Sequence, residues 1–73
     1  MNKVAVIKEL WRDLSKCDVE TCRKVLAKSG WKERKFRVDV INGIFFAHIY
    51  ANKDGVEFNF FFSDDVLKGI SEN

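Results

Sequence analysis

The sequence predicts an α+β domain in which two amino-terminal amphipathic helices pack on one face of a three-stranded antiparallel meander, followed by a short carboxy-terminal helix. Three observations predict this fold. Apolar residues recur at helical spacing before residue 30, two turn dipeptides separate three strand-like runs, and those runs agree on one apolar face. With 73 residues and no proline, the chain has the size of one small folded domain, so residues 1–73 are interpreted as a single domain.

Two amphipathic helices are expected to open the chain. The segment from Asn2 to about Ser15 carries apolar residues three and four positions apart, which form one stripe. Its members are Val4, Ile7, Leu10, Trp11 and Leu14. Asp18 can cap a second helix that ends at Gly30, where a left-handed glycine would place Trp31 against Leu26. The stripe of this helix consists of Val19, Cys22, Val25 and Leu26.

The dipeptides Asn42-Gly43 and Asp54-Gly55 set the register of the meander. Both suit two-residue turns that need positive φ at each central position. Counting outward pairs Ile41 with Ile44 and Asn52 with Glu57, and side chains then alternate between the two faces. Both counts give the same apolar face, which is interpreted as core. It consists of Phe36, Val38, Val40, Phe45, Ala47, Ile49, Ala51, Val56, Phe58, Phe60 and Phe62.

A last short helix is predicted after the third strand. Ser63 can cap it, and the segment from Asp64 to about Ile70 begins with two acidic residues, which favour the positive end of a helix dipole.

The reverse face of the meander is the candidate partner-binding site. A solvated sheet face is usually polar, but here Arg37 is expected opposite His48 with aromatic residues around the pair. The members of the candidate site are Arg37, Phe46, His48, Tyr50 and Phe61, a composition that resembles protein-binding hot spots. Three alternatives could cover the reverse face: the last helix through Val66, Leu67 and Ile70, a second copy of the chain, or a different macromolecule.

A basic segment supports an alternative function. The net charge is only +2, but residues 21–37 carry seven basic residues against one acidic residue. Interpreted as a nucleic-acid site, these basic side chains would contact phosphates, and the tryptophan among them would stack on a nucleobase. Read structurally, they are the solvated side of a helix and the tryptophan packs beneath it. The residues concerned are Arg23, Lys24, Lys28, Trp31, Lys32, Arg34 and Lys35.

The sequence contains no recognisable catalytic, metal or cofactor motif. His48 is the only histidine, and Cys22 is expected on the opposite side of the sheet from it, which excludes a Cys-His nucleophile pair. The spacing of Cys17 and Cys22 with one distant histidine does not suit a zinc site. No apolar run has the length of a membrane span and the amino end is not typical of a signal peptide, so a cytoplasmic location without membrane association is expected.

The predicted function is therefore that of a small non-catalytic protein-protein interaction module. We expect a stoichiometric inhibitor or adaptor, of the kind that phages and mobile elements encode, which docks on a larger protein through the aromatic reverse face. Homodimerisation through that face and nucleic-acid binding through the basic segment are the alternatives. No cofactor is expected.

Overall fold

The computed structural model describes residues 2–73, which fold as two α-helices followed by a four-stranded antiparallel sheet. The helices are α1 (Lys3–Leu14) and α2 (Val19–Lys28), and the strands are β1 (Lys32–Ile41), β2 (Ile44–Lys53), β3 (Val56–Ser63) and β4 (Val66–Glu72). The strands lie in the order β1-β2-β3-β4, so each pairs with its neighbour in the chain. This meander leaves β1 and β4 as the two edges of the sheet.

Both helices begin and end where the sequence predicts. The Asn2 side chain accepts a hydrogen bond from the Ala5 N–H at 3.2 Å, and Asp18 accepts one from the Thr21 N–H at 2.8 Å. Gly30 has φ +88°, and the Trp31 N–H donates to the Leu26 carbonyl at 3.0 Å, the bond that closes a Schellman stop. The left-handed glycine thus turns the chain directly into β1.

The register predicted from the first two hairpins is confirmed. Ile41 pairs with Ile44, and the positive φ values of Asn42 and Gly43, 53° and 78°, are those of a two-residue turn that matches strand twist. The second hairpin pairs Asn52 with Glu57, as counted. The one irregularity in these two ladders is a bulge at Arg34, between Glu33 and Lys35. Every side chain from residue 35 to residue 63 therefore lies on the face that the alternation assigns to it.

The predicted three-stranded sheet with a last helix is wrong, because the segment after Ser63 forms the fourth strand. Asp64 and Asp65 have φ values of 51° and 67° and make a third two-residue turn, which aspartate tolerates better than most residues. The pairing of β3 with β4 then contains a bulge between Phe61 and Phe62, where β4 has one residue more than β3. As a result Leu67 and Ile70, three positions apart, both point to the helix side of the sheet. In the sequence, this spacing is the same as that of apolar residues on one face of a helix.

The core lies between the two helices and one face of the sheet. Its aromatic layer is Phe58, Phe60 and Phe62, all fully buried, and the helices contribute Leu14 and Cys22, also at 0% exposure. The other buried members are Leu10, Val19, Leu26, Trp31, Ala47, Ile49, Ala51 and Leu67. Burial at this density is what a domain of this size needs, since it removes a modest share of its surface from water.

The prediction that all apolar residues of one sheet face belong to the core is wrong for part of β1. Val38 and Val40 of β1 are 46% and 68% exposed, so the helices of the described residues do not cover them. A helix advances about 1.5 Å per residue and a strand about 3.3 Å, so α2 with 10 residues spans less than half of the 10-residue β1. The outer half of the first hairpin therefore extends past the helix layer.

Candidate protein-binding surface on the outer sheet face

The sheet face opposite the helices, called the outer face from here on, is uncovered in the part of the chain that the structure describes. Leu67, which was one candidate to cover it, is buried on the helix side, and β4 lengthens the face rather than shielding it. The outer face consists of Lys32, Lys35, Arg37, Asp39 and Ile41 on β1, Ile44, Phe46, His48, Tyr50 and Asn52 on β2, Glu57, Asn59, Phe61 and Ser63 on β3, and Val66, Gly69 and Ser71 on β4.

Four aromatic rings form a continuous cluster at the centre of the outer face. Phe46 and Phe61 stack with centroids 6.1 Å apart and an angle of 12°, and His48 and Tyr50 stack at 5.9 Å and 12°. His48 joins the two pairs, because its ring lies 4.9 Å from that of Phe61. All four side chains are half-buried. The rings hold one another in place and present a preorganised surface, which lowers the entropy cost of binding.

A hydrogen bond orients the central histidine. His48 Nδ1 lies 3.2 Å from Asn59 Oδ1, and because an amide oxygen only accepts, Nδ1 is the donor in this contact. Arg37 is the cross-strand partner of His48 on β1. The four predicted site residues of β1 and β2, together with Phe61, thus lie on one face, as the alternation required.

A salt bridge closes one end of the aromatic cluster. The Arg34 guanidinium, displaced by the bulge, donates to both carboxylate oxygens of Glu57 at 2.5 and 3.0 Å, and it lies 5.6 Å from the Tyr50 ring centroid. Hydrogen bonding from Arg34 and from the Asn73 side chain holds the pKa of Glu57 below its ordinary value. This pairing makes the Tyr50 end of the face polar and anchors the chain terminus beside β3.

The opposite end of the outer face is aliphatic and open. Ile41 is 57% exposed, Ile44 40% and Val66 45%. Ile44 precedes Phe46 on the same face of β2 and pairs with Ile41, while Val66 lies on β4 beyond Ser63, the partner of Phe46. Isolated exposed aliphatic residues are ordinary, but here they continue the aromatic cluster. Along β2 the outer face therefore grades from aliphatic through aromatic to polar, while β1 places Lys35, Arg37 and Asp39 beside this row.

Sequence reasoning missed the contribution of β4, because it assigned that segment to a helix. Gly69 is the partner of Phe61, and a Cβ built on Gly69 would meet no atom within 4 Å. With Ser63 and Ser71 beside it, the glycine leaves one side of the Phe61 ring open. The signal that could have located this strand is the Asp-Asp dipeptide at the end of an alternating run.

The residues of the nucleic-acid alternative do not form one surface. Arg23 donates to both oxygens of Glu33 at 2.8 and 2.9 Å on the helix side and stands 4.0 Å over the Phe36 ring. Trp31 is 6% exposed and stacks on Phe58 with centroids 5.5 Å apart, so it cannot stack on a base without leaving the core. Lys24 and Lys28 are exposed on α2, whereas Lys32, Arg34 and Lys35 belong to the outer face or its rim.

Other classes of site find little support among residues 2–73. No group of three or more His, Cys, Asp or Glu side chains there is placed to hold a metal ion. Cys17 and Cys22 are free thiols. The helices within those residues are too short and too polar to cross a membrane. Comparisons of the chain with protein-family models, with curated proteins and with solved structures found no match.

Proposed function

We propose that this protein is a small non-catalytic binding module that docks on a larger protein through the outer face. The observation that carries the proposal is the continuous apolar surface from Ile41 and Ile44 through the four-ring cluster, which the described chain leaves uncovered. Aromatic residues at the centre of an exposed patch, with polar groups at its rim, are the usual composition of protein-binding hot spots.

The proposed roles of the side chains follow their position. Phe46, Tyr50 and Phe61 supply rigid apolar contact area, since each aromatic side chain buries a large surface at low entropy cost. His48 Nε2 and the Arg37 guanidinium, 52% exposed, supply hydrogen bonds that orient the partner. In this proposal the module acts stoichiometrically, as an inhibitor or adaptor does, by occupying a surface on its target.

The graded polarity favours a protein over a nucleic acid as the partner. Phosphate binding gains affinity from each accessible cation, but the outer face carries exposed aliphatic side chains at one end, and Arg34 is already paired with Glu57. A protein surface can match both ends. Nucleic-acid binding, the alternative, then becomes an outcome of the test below.

The test adds a side chain to the outer face instead of removing one. Gly69→Thr introduces a β-branched residue where a Cβ meets no atom, so it should leave the fold intact and obstruct docking beside Phe61. Val66→Ser removes an exposed aliphatic contact on the same face. Val4→Ser is the matched control, because Val4 is 65% exposed on α1, in the helix layer.

Immobilised wild type and the three variants are used to capture proteins from nuclease-treated host lysate, and the captured protein is then titrated by calorimetry. We expect Gly69→Thr and Val66→Ser to weaken binding at least tenfold and Val4→Ser to bind like wild type, all with wild-type circular dichroism. Equal binding by all four proteins would remove the outer face as the docking site.

Salt dependence distinguishes the alternative function. In a titration with single- and double-stranded oligonucleotides, phosphate contacts lower log K by about 0.9 for each contact per unit of log salt concentration. Oligonucleotide binding with that slope, lost in Lys35→Glu, would replace the protein-binding proposal. Absence of oligonucleotide binding at low ionic strength supports it.

A further inference from the structure

The free edge of β1 carries a second binding feature, separate from the centre of the outer face. From Lys35 to Ile41 this strand has no bulge, no glycine and no proline, and every residue except Phe36 is exposed. Natural proteins usually protect such an edge with bulges, prolines, charged side chains or a covering element, since its unpaired backbone groups can bind another strand. Here the charges are of both signs, Lys35 and Arg37 against Asp39, so they can pair with a second copy as well as repel it. The bulge of β1, at Arg34, lies outside this stretch. The other edge, β4, carries a bulge within its ladder, and the Lys3–Glu72 ion pair at 2.6 Å ties it to α1.

The hairpin geometry determines which backbone groups of β1 point to the free edge. Residues that flank a two-residue turn form a hydrogen-bonded pair, and such pairs alternate along an antiparallel ladder. Ile41, Asp39 and Arg37 therefore direct their N–H and C=O groups to β2, and Val40, Val38 and Phe36 direct theirs outward. The same alternation places the Phe45 carbonyl away from β1, where it accepts from the Asp64 N–H at 2.8 Å.

The outward groups lie on a part of β1 that is apolar on the helix side. Val38 and Val40 are 46% and 68% exposed there, and Phe36 lies beside them under the Arg23 guanidinium. On the outer face the same stretch carries Arg37 and Asp39. Their mutual contact, 3.5 Å between Arg37 Nη2 and Asp39 Oδ2, is long and both side chains are about half exposed, so each is free to pair elsewhere.

We infer that the protein forms a homodimer in which β1 pairs antiparallel with β1 of a second copy, centred on Val38, so that two four-stranded sheets become one continuous sheet. In this register Val38 faces Val38, and Phe36 faces Val40 of the second copy. These are the residues with outward backbone groups, so each pair exchanges two backbone hydrogen bonds. Arg37 faces Asp39 of the second copy twice, once on each side of the symmetry axis.

Charge complementarity selects this register over its neighbours. A centre at Phe36 places Lys35 opposite Arg37 of the second copy. A centre at Arg37 pairs Lys35 with Asp39 but places the two Arg37 side chains opposite each other, and a centre at Asp39 places the two Asp39 side chains opposite each other. Like charges directly opposite each other on a sheet are destabilising, whereas opposite charges stabilise the pair. A centre at Val40 overlaps only the end of the strand. The self-complementary pattern apolar, basic, apolar, acidic, apolar is therefore satisfied at Val38 alone.

This arrangement extends the proposed function without depending on it. The symmetry axis is perpendicular to the sheet, so both helix layers lie on one side and both outer faces lie on the other. The dimer presents the outer face twice on one surface, with the two Arg37 side chains at the seam. A target with two equivalent sites would then gain avidity from the dimer.

The experiment measures mass in solution by sedimentation equilibrium from micromolar to millimolar protein. Wild type is expected to shift from one to two copies with rising concentration. Arg37→Glu places a carboxylate opposite Asp39, and Asp39→Arg places a guanidinium opposite Arg37, so each variant alone should dimerise at least tenfold more weakly. Mixed in equal amounts, the two variants complement each other at both charge pairs and should recover the wild-type association.

Two further variants make the result specific to the register and to the edge. Lys35→Glu is the matched control, since it reverses a charge on the same face but faces Ile41 of the second copy, and it should dimerise like wild type. Val38→Pro removes an outward N–H without touching the β2 ladder, and it should abolish pairing while circular dichroism stays unchanged.

Three results would overturn the inference: a strict monomer at millimolar wild type, no recovery in the mixture of folded variants, or equal weakening by Lys35→Glu. Dimerisation that is lost in Gly69→Thr and insensitive to the edge variants would mean that the copies associate through the outer face. None of these results bears on capture of a larger partner, which is measured separately.

Discussion

Phe60 and Phe61 are neighbours in the sequence, and the structure assigns them to opposite faces of the sheet with different energetic roles. Phe60 is fully buried, so Phe60→Ala should lower the free energy of unfolding by about 3–5 kcal/mol, the usual cost of truncating a core phenylalanine. Phe61 is half-buried on the outer face, and its ring contacts lie at 6.1 and 4.9 Å.

The cost of Phe61→Ala should therefore be smaller. One aromatic pair contributes about 0.5–1.5 kcal/mol, and partial burial adds a fraction of the roughly 1.5–3 kcal/mol of a fully buried side chain. We expect about 1–3 kcal/mol in total. In a domain of this size, each kcal/mol lowers Tm by about 4–8 °C.

Urea denaturation followed by tryptophan fluorescence measures the free energy of unfolding of both variants. Trp31 is a suitable probe because its ring centroid lies 6.1 Å from that of Phe60 in the core. If Phe60→Ala is too unstable to give a folded baseline, Phe60→Leu and Phe61→Leu replace the pair and should keep the same order. Equal costs at the two positions, or a larger cost at Phe61, would refute the assignment of faces and with it the outer face as a binding surface.

Three further predictions concern thiol reactivity, acid stability and the third hairpin. Burial raises the pKa of Cys22 to about 12, so native protein should react with iodoacetamide at Cys17 while Cys22 reacts only after unfolding, as mass spectrometry can show. The backbone N–H of Thr21 lowers the pKa of Asp18, and Arg34 lowers the pKa of Glu57. Because both pKa values are lower in the folded state, the two carboxylates stabilise the folded protein at pH values above the ordinary 3.8 and 4.5, and this contribution is lost as the pH falls below those values. Thermal melts between pH 3 and pH 7 will detect the loss. Asp65 accepts from the Val19 N–H at 3.0 Å and has φ +67°, so Asp65→Ala should cost about 1–2 kcal/mol whereas Asp65→Asn, which keeps the acceptor and tolerates that φ, should be nearly neutral in urea melts.

The bond from Asp65 explains why the last segment is a strand and not a helix. Two acidic residues after a serine favour a helix start by local chemistry, and the Leu67–Ile70 spacing is compatible with one. In the folded protein, however, the outward edge of β3 offers a full ladder to the next segment, and the Asp64-Asp65 turn also caps the N-terminus of α2. The local helix propensity of this segment is therefore outweighed by long-range contacts, such as the hydrogen bond between Val19 and Asp65, which lie 46 positions apart.

The candidate site was predictable where it depends on alternation. Arg37, Phe46, His48, Tyr50 and Phe61 were assigned to one face by counting from two turns, and they lie on that face. What they contact could not be counted: the stacking of the rings depends on rotamers, and the Arg34–Glu57 bridge depends on a bulge. Bulges shift the phase of a strand by one residue and leave no fixed signature in composition.

The sequence by itself determined both helices, their stops, the first two hairpins and the division of residues 35–63 between two faces, because these depend on short-range chemistry such as caps, left-handed glycine and period-two alternation. Only the tertiary structure decided that residues 66–72 add a fourth strand, that the outer face is left uncovered by residues 2–73, and that Val38 and Val40 lie beyond the helices. Those outcomes depend on which surfaces meet in space and on how far a helix reaches along a strand, and neither quantity is contained in the pattern of any one segment.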